Sequence, residues 1–146
     1  MPNTTTHLFV YGTLRPPQAG TRAEDSRLYP VIAPYVLEAM SARLPGAAMY
    51  DLGAFPGARP DEGILHGDLL RVQPQALALA DQCEGHPDFF QRQEVTVHTA
   101  EGRARAWVYW APPRLTEGQP RIAGGDWFAR DSAPSRGDGG RRWLES

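Results

Sequence analysis

His7-Leu8-Phe9-Val10-Tyr11-Gly12-Thr13-Leu14-Arg15 is an apolar run that stops at a glycine followed by a hydroxyl residue. His7 to Tyr11 reads as a buried strand, and Gly12 ends it. A strand that breaks in this way exposes several backbone N–H groups at its end. Such groups form a concave donor site for a carboxylate or a carbonyl oxygen. The same letters also describe an ordinary strand-to-turn junction, so the residues alone leave both readings open.

Outward from this stretch, Gly63 to Val72 is the clearest strand, and Gly67 inside it implies a bulge or a close backbone approach. Pro74 stands where a first helical turn tolerates it, and Gln75 to Cys83 is rich in the helix formers Ala and Leu. Gly85 suits a left-handed C-cap, with Pro87 beyond it. Val95-Thr96-Val97-His98 alternates as a half-buried strand, and Ala104 to Trp110 returns across Gly102 as its hairpin partner. Tyr35 to Leu44 reads as strand or helix, closed by Pro45-Gly46. Ala47 to Leu52 reads as a further short strand before the turn-rich Gly53 to Pro60. Pro112 to Gly125 reads as loop. The sum predicts an α+β domain over residues 1–131, a small mixed β-barrel with helical additions. A loosely ordered polar tail is expected over 132–146.

A chain of 146 residues is the size of one domain. A net charge of −2 gives no electrostatic case for nucleic acid. All 15 basic residues are arginine, so no Schiff-base or P-loop lysine exists. The single cysteine, Cys83, excludes an internal disulfide framework and a cysteine metal cage. His7, His66, His86 and His98 show no metal-ligand spacing, so no metal site is predicted. No apolar run approaches the roughly 20 residues that span a bilayer, and no membrane partner is expected. Met1 to Thr6 is polar, without a charged and apolar leader, and the expected location is cytoplasmic.

Glu84 breaks a local rule. It closes the predicted helix, where the macrodipole disfavours a carboxylate by about 0.3–1 kcal/mol at exposed sites. Breaches of local preference are enriched at functional positions, although a surface glutamate in a last turn is common.

The ordered set of motifs resembles the gamma-glutamylcyclotransferase-like superfamily, including its branch acting on gamma-glutamyl amines. Tyr11-Gly12-Thr13-Leu14 resembles the family's signature loop, and Gly63-Ile64-Leu65-His66-Gly67-Asp68-Leu69 its central strand. Leu79-Ala80-Asp81-Gln82-Cys83-Glu84-Gly85 resembles the helix that delivers the acidic residue. Phe90-Gln91-Arg92, Ala106-Trp107-Val108-Tyr109 and Gly125-Asp126-Trp127 resemble the elements that follow. The likeness runs from about His7 to about Asp131.

The resemblance implies a small-molecule gamma-glutamyl substrate, cyclised to 5-oxoproline with release of an amine, and no cofactor. It implies Glu84 as general acid/base, with Tyr11, Gly12, Thr13, Leu14, Arg92 and Tyr109 as substrate-binding candidates. Whether the Gly12–Leu14 backbone holds the α-carboxylate or the oxyanion stays open. Arg92 equally suits a structural ion pair, and Tyr11 and Tyr109 equally suit pocket walls. Relatives often carry tyrosine where Phe90 stands, so this chain lacks that hydroxyl. The alternative from another class is a non-catalytic regulatory protein that binds a small molecule in the same pocket. The leaving amine and the oligomeric state are not legible. Specificity is expected in the loops Pro16 to Arg27, Ala54 to Glu62 and Pro112 to Gly124.

Overall fold

In the computed structural model, which describes residues 5–130, Leu8 and Val10 face one hydrophobic layer and Phe9 faces another. That is why the strand β1 (Thr6–Val10) is apolar at successive positions, where a half-buried strand would alternate. Five strands close around the Phe9 side. β1 pairs antiparallel with β3 (Pro56–Val72) and parallel with β5 (Gly102–Trp110). β5 pairs antiparallel with β4 (Gln91–Thr99), which meets β2 (Val36–Asp51) at Arg43–His98. The long β2–β3 ladder completes the ring, and β6 (Arg121–Ile122) adds to the edge of β2. The result is a closed five-stranded barrel in an α+β domain.

The barrel interior holds Phe9, Leu44, Met49, Leu65, Val97, Val108 and Trp110, and Trp127 packs into the same core. Outside the barrel, a second layer joins Leu8, Val10, Leu70, Val72 and Tyr109 to the helix α2 (Pro74–Glu84), beside the short α1 (Tyr29–Ile32). Ala76 and Ala80 are fully buried, so their small side chains let α2 lie close to the sheet. Pro74 begins the helix and Gly85 ends it in the left-handed region at φ 68°. Both agree with the sequence reading.

Three expectations are corrected. Tyr35–Leu44 and Ala47–Leu52 are one strand, β2, because Pro45-Gly46 produces a register shift where a break was predicted. Across the shift β3 carries two more residues than β2, between Pro60 and Ile64, and the irregularity is absorbed with Gly46 at φ 80° and Gly63 at φ 146°. The stretch Gly53–Pro60 is largely strand, since β3 begins at Pro56. Residues 56–65 ladder with β2 alone, and on their other edge the Ala58 carbonyl accepts from Ala111 N at 3.0 Å, so Pro56 and Pro60 stand where no second ladder needs their missing donors. Pro112–Gly125, read as loop, contains the one-turn α3 (Pro113–Thr116) and β6. The tail expected over 132–146 lies outside the described residues.

Gly67 is a case of close approach. A Cβ there would run into the carbonyl oxygen of Val10 and stand 3.0 Å from Phe9 Cζ. Glycine is what allows β3 to cross β1 at the end that leads into the Tyr11–Leu14 turn. Buried ion pairs then tie this turn to the C-terminal segment. Arg15 Nε donates to Asp68 Oδ2 at 2.8 Å and its Nη1 to Asp126 Oδ1 at 3.0 Å. Arg130 pairs with Asp25 at 3.2 Å while lying over the Trp127 ring.

Candidate active site

The turn after β1 and the end of α2 meet at a cavity of about 230 Å³. Tyr11, Gly12, Thr13 and Leu14 line one side, and Cys83 and Glu84 line another. Arg27, Leu28, Phe55 and Pro56 close it from two loops, with Phe89, Phe90 and Tyr109 completing the wall. Thus six of the seven residues predicted for the site share one cavity. The seventh, Arg92, is not among its lining residues.

Glu84 arrives there through helical spacing. Ala76, Ala80 and Glu84 are four residues apart, so they share the stripe that faces the barrel. The first two pack against the sheet, and the third overhangs the opening beyond it. Glu84 retains some accessible surface, all the same its carboxyl is otherwise surrounded by protein. Burial raises its pKa from 4.5 to about 7. No hydrogen bond or ion pair holds this carboxylate among the described residues, in contrast to Asp25, Asp68 and Asp81.

The facing turn supplies donors. The carbonyls of Gly12 and Thr13 accept from Arg15 and Leu28, at 2.9 and 3.1 Å, which fixes the turn. The amides of Gly12, Thr13 and Leu14 donate to no protein group among the described residues. Consecutive unpaired N–H groups at a cavity wall suit an anion or a developing oxyanion. Gly12 is required here by contact: a Cβ would lie 2.8 Å from Pro56 Cγ.

The two tyrosines are fixed walls. Tyr11 Oη donates to the carbonyl oxygen of Tyr109 at 2.7 Å, and Tyr109 Oη donates to Asp81 Oδ1 at 2.7 Å. Burial raises both phenol pKa values, with the Glu84 charge adding to Tyr11 and the Asp81 hydrogen bond adding to Tyr109. Both phenols stay protonated and hold their protons on protein acceptors. Arg92 takes the structural option: its Nε and Nη2 donate to the two oxygens of Asp81 at 2.8 and 2.9 Å, and it lies over Trp107.

Asp81, unremarked in the sequence except inside a motif, is the hub of this arrangement. Desolvation would raise its pKa, but the hydrogen bonds from Arg92 and Tyr109 outweigh it and the pKa is lowered. It joins the last turn of α2 to β4 and β5, and so positions Glu84. Phe55 and Phe89 of the aromatic wall were also missed. Phe90 packs edge-on against Phe55 and Phe89, at centroid distances of 6.1 and 5.2 Å. Of the three loops expected to set specificity, two contribute wall residues. Pro112–Gly124 contributes none among the described residues. Those residues also contain no group of three or more His, Cys, Asp or Glu able to hold a metal ion.

The chain and its fold match known proteins. The family model described as gamma-glutamyl cyclotransferase, AIG2-like, matches residues 8–129, and the chain belongs to that family. A gamma-glutamylcyclotransferase family protein of Citrobacter rodentium is 31% identical over 124 residues, covering 85% of this chain and 96% of the relative. Among solved structures, YkqA of Bacillus subtilis superposes with a TM-score of 0.62 at 24% identity, covering 85% of this chain. This chain spans only 40% of YkqA. A mouse AIG2-like protein superposes with a TM-score of 0.57 at 20% identity, covering 88% of this chain and 97% of that one. Both superpositions bear on the fold. No helix among the described residues is long and apolar enough to cross a membrane.

Proposed function

We propose that this cavity cyclises a gamma-glutamyl derivative of an amine or amino acid to 5-oxoproline, with Glu84 moving the protons. The observation that carries this reading is a carboxylate with a pKa of about 7, without a protein partner among the described residues, across a cavity from unpaired backbone donors.

The substrate supplies its own nucleophile. Its α-nitrogen attacks its γ-carbonyl carbon, a five-membered ring forms, and the bond from that carbon to the amide nitrogen breaks. An α-ammonium must lose two protons to become the ring N–H, and the departing amine takes up two to leave as an ammonium. Glu84 accepts protons from the first nitrogen and delivers them to the second, a task suited to a group with a pKa near neutrality. The Gly12–Leu14 amides either anchor the α-carboxylate or stabilise the carbonyl oxygen as charge develops on it. Tyr11, Tyr109 and Phe90 hold the chain folded with its ends together, which converts ring closure into a favourable encounter. The modest cavity suits one amino-acid-sized group, since pockets for drug-sized ligands run roughly 300–1,000 Å³.

The test is 5-oxoproline release from gamma-glutamyl compounds by wild type and Glu84→Gln, with ligand binding measured on both. The expected loss is about 10²–10⁴-fold in kcat/KM for the variant with binding retained. Wild-type activity should rise with pH as Glu84 ionises and level off above about 7. Full activity in the variant would eliminate Glu84 as the proton carrier. Binding without turnover by wild type would favour the regulatory-binding reading instead.

A further inference from the structure

Only two of the cavity's lining residues carry a charge, Glu84 and Arg27. Arg27 is exposed and lines the cavity, so it stands at the mouth. Its Nη1 donates to the carbonyl oxygens of Ala54 at 2.9 Å and Glu24 at 3.3 Å. The first contact pins the guanidinium to the loop that carries Phe55, and the second ties it to its own turn. Nε and Nη2 donate to no group among the described residues, and no carboxylate there pairs with it. Arg15, Arg92 and Arg130, by contrast, all have aspartate partners. A guanidinium held by one nitrogen, with its other donors free, presents a fork for a carboxylate.

We propose that Arg27 binds a carboxylate on the leaving amine and makes the site selective for gamma-glutamyl amino acids over simple gamma-glutamyl amines. This rests on the cyclotransferase reading. The Gly12 to Leu14 donors and Glu84, on facing sides of the cavity, bracket the reacting groups in that reading. The amine that departs must point toward the opening, where Arg27 stands between apolar walls that include Phe55 and Phe89. A carboxylate beside an apolar side chain complements that rim.

The test uses a matched pair: gamma-glutamyl-leucine and gamma-glutamyl-3-methylbutylamide, which lacks only the leucine carboxylate. Calorimetric affinity and 5-oxoproline release are measured for wild type, Arg27→Gln and Arg27→Lys, with a thermal melt to verify folding. Wild type should prefer the leucine compound by about tenfold. Arg27→Gln should abolish that preference, costing the leucine compound about tenfold more than the amide, and Arg27→Lys should restore part of it. An equal loss on both compounds would place Arg27 on the α-carboxylate or in the loop alone, and overturn the proposal. So would a wild type indifferent to the leucine carboxylate in binding. Preferential binding without turnover would remove the cyclotransferase reading and leave the carboxylate site standing as a property of binding.

Discussion

Glu84 is a residue the fold holds at a cost. An ordinary glutamate is ionised well below neutrality, whereas burial keeps this one protonated up to about pH 7. Between pH 4.5 and 7 the folded protein therefore binds more protons here than the unfolded chain, and stability falls as pH rises. The gap from 4.5 to about 7 amounts to about 3 kcal/mol, fully felt above pH 7 and absent below 4.5. Replacing Glu84 with Gln should stabilise the protein by about that much at pH 8 and by little at pH 4. Urea denaturation of both proteins across this range checks it. A pH-independent difference would mean that the carboxylate ionises normally. The rule Glu84 breaks was visible in the sequence, as a carboxylate in a last helical turn. Its spacing of four from Ala76 and Ala80 was visible too, but only the packed structure shows which stripe of the helix faces inward.

At the scale of elements, the site depends on how the end of α2 is fastened to β4 and β5. Asp81 makes that joint through Arg92 and Tyr109, and its carboxyl is partly buried. Its lowered pKa means that the joint stabilises the protein above the usual carboxylate range and is lost as pH falls through the depressed value. Asp81→Asn should cost about 1–3 kcal/mol at pH 7, with the difference shrinking on acidification below pH 4. Its effect on catalysis should come through Glu84. The apparent pKa of the pH–rate profile should move, while substrate affinity changes little. An unchanged profile in a destabilised variant would make Asp81 structural only. Arg92 shows why an isolated arginine is hard to read: the same fork serves a substrate carboxylate or a protein one, and only the position of Asp81 one turn before Glu84 decides.

For the molecule as a whole, the signature turn is braced by residues far away in sequence. Arg15, just after that turn, is buried between Asp68 of β3 and Asp126 near the C-terminal end of the described chain. Desolvation raises the Asp68 pKa even though Arg15 pulls it down. Arg15→Met would strand a buried carboxylate and should cost about 3 kcal/mol or more at pH 7. The loss should be smaller near pH 4, where Asp68 can fold protonated. Thermal and denaturant unfolding at both pH values would detect this, and equal losses would show that the packing of the arginine matters more than its charge. The pairing was not legible beforehand, because Arg15, Asp68 and Asp126 are separated by most of the chain and come together only when the barrel closes.

What the sequence determined by itself was local and periodic. The apolar run ending at Gly12, the proline-to-glycine bounds of α2, the β4–β5 hairpin and the close approach at Gly67 all follow from steric and hydrogen-bonding preferences of short segments. The motif order also carried the family. Tertiary structure decided the rest: that Pro45-Gly46 bends one long strand instead of ending it, that Arg92 is spent on Asp81, and that Arg27 and Phe55 reach the cavity from separate loops. These outcomes depend on which surfaces meet when the barrel closes. Burial then sets the charge state of Glu84, because desolvation is a property of the surrounding protein and not of the glutamate or its neighbours in sequence.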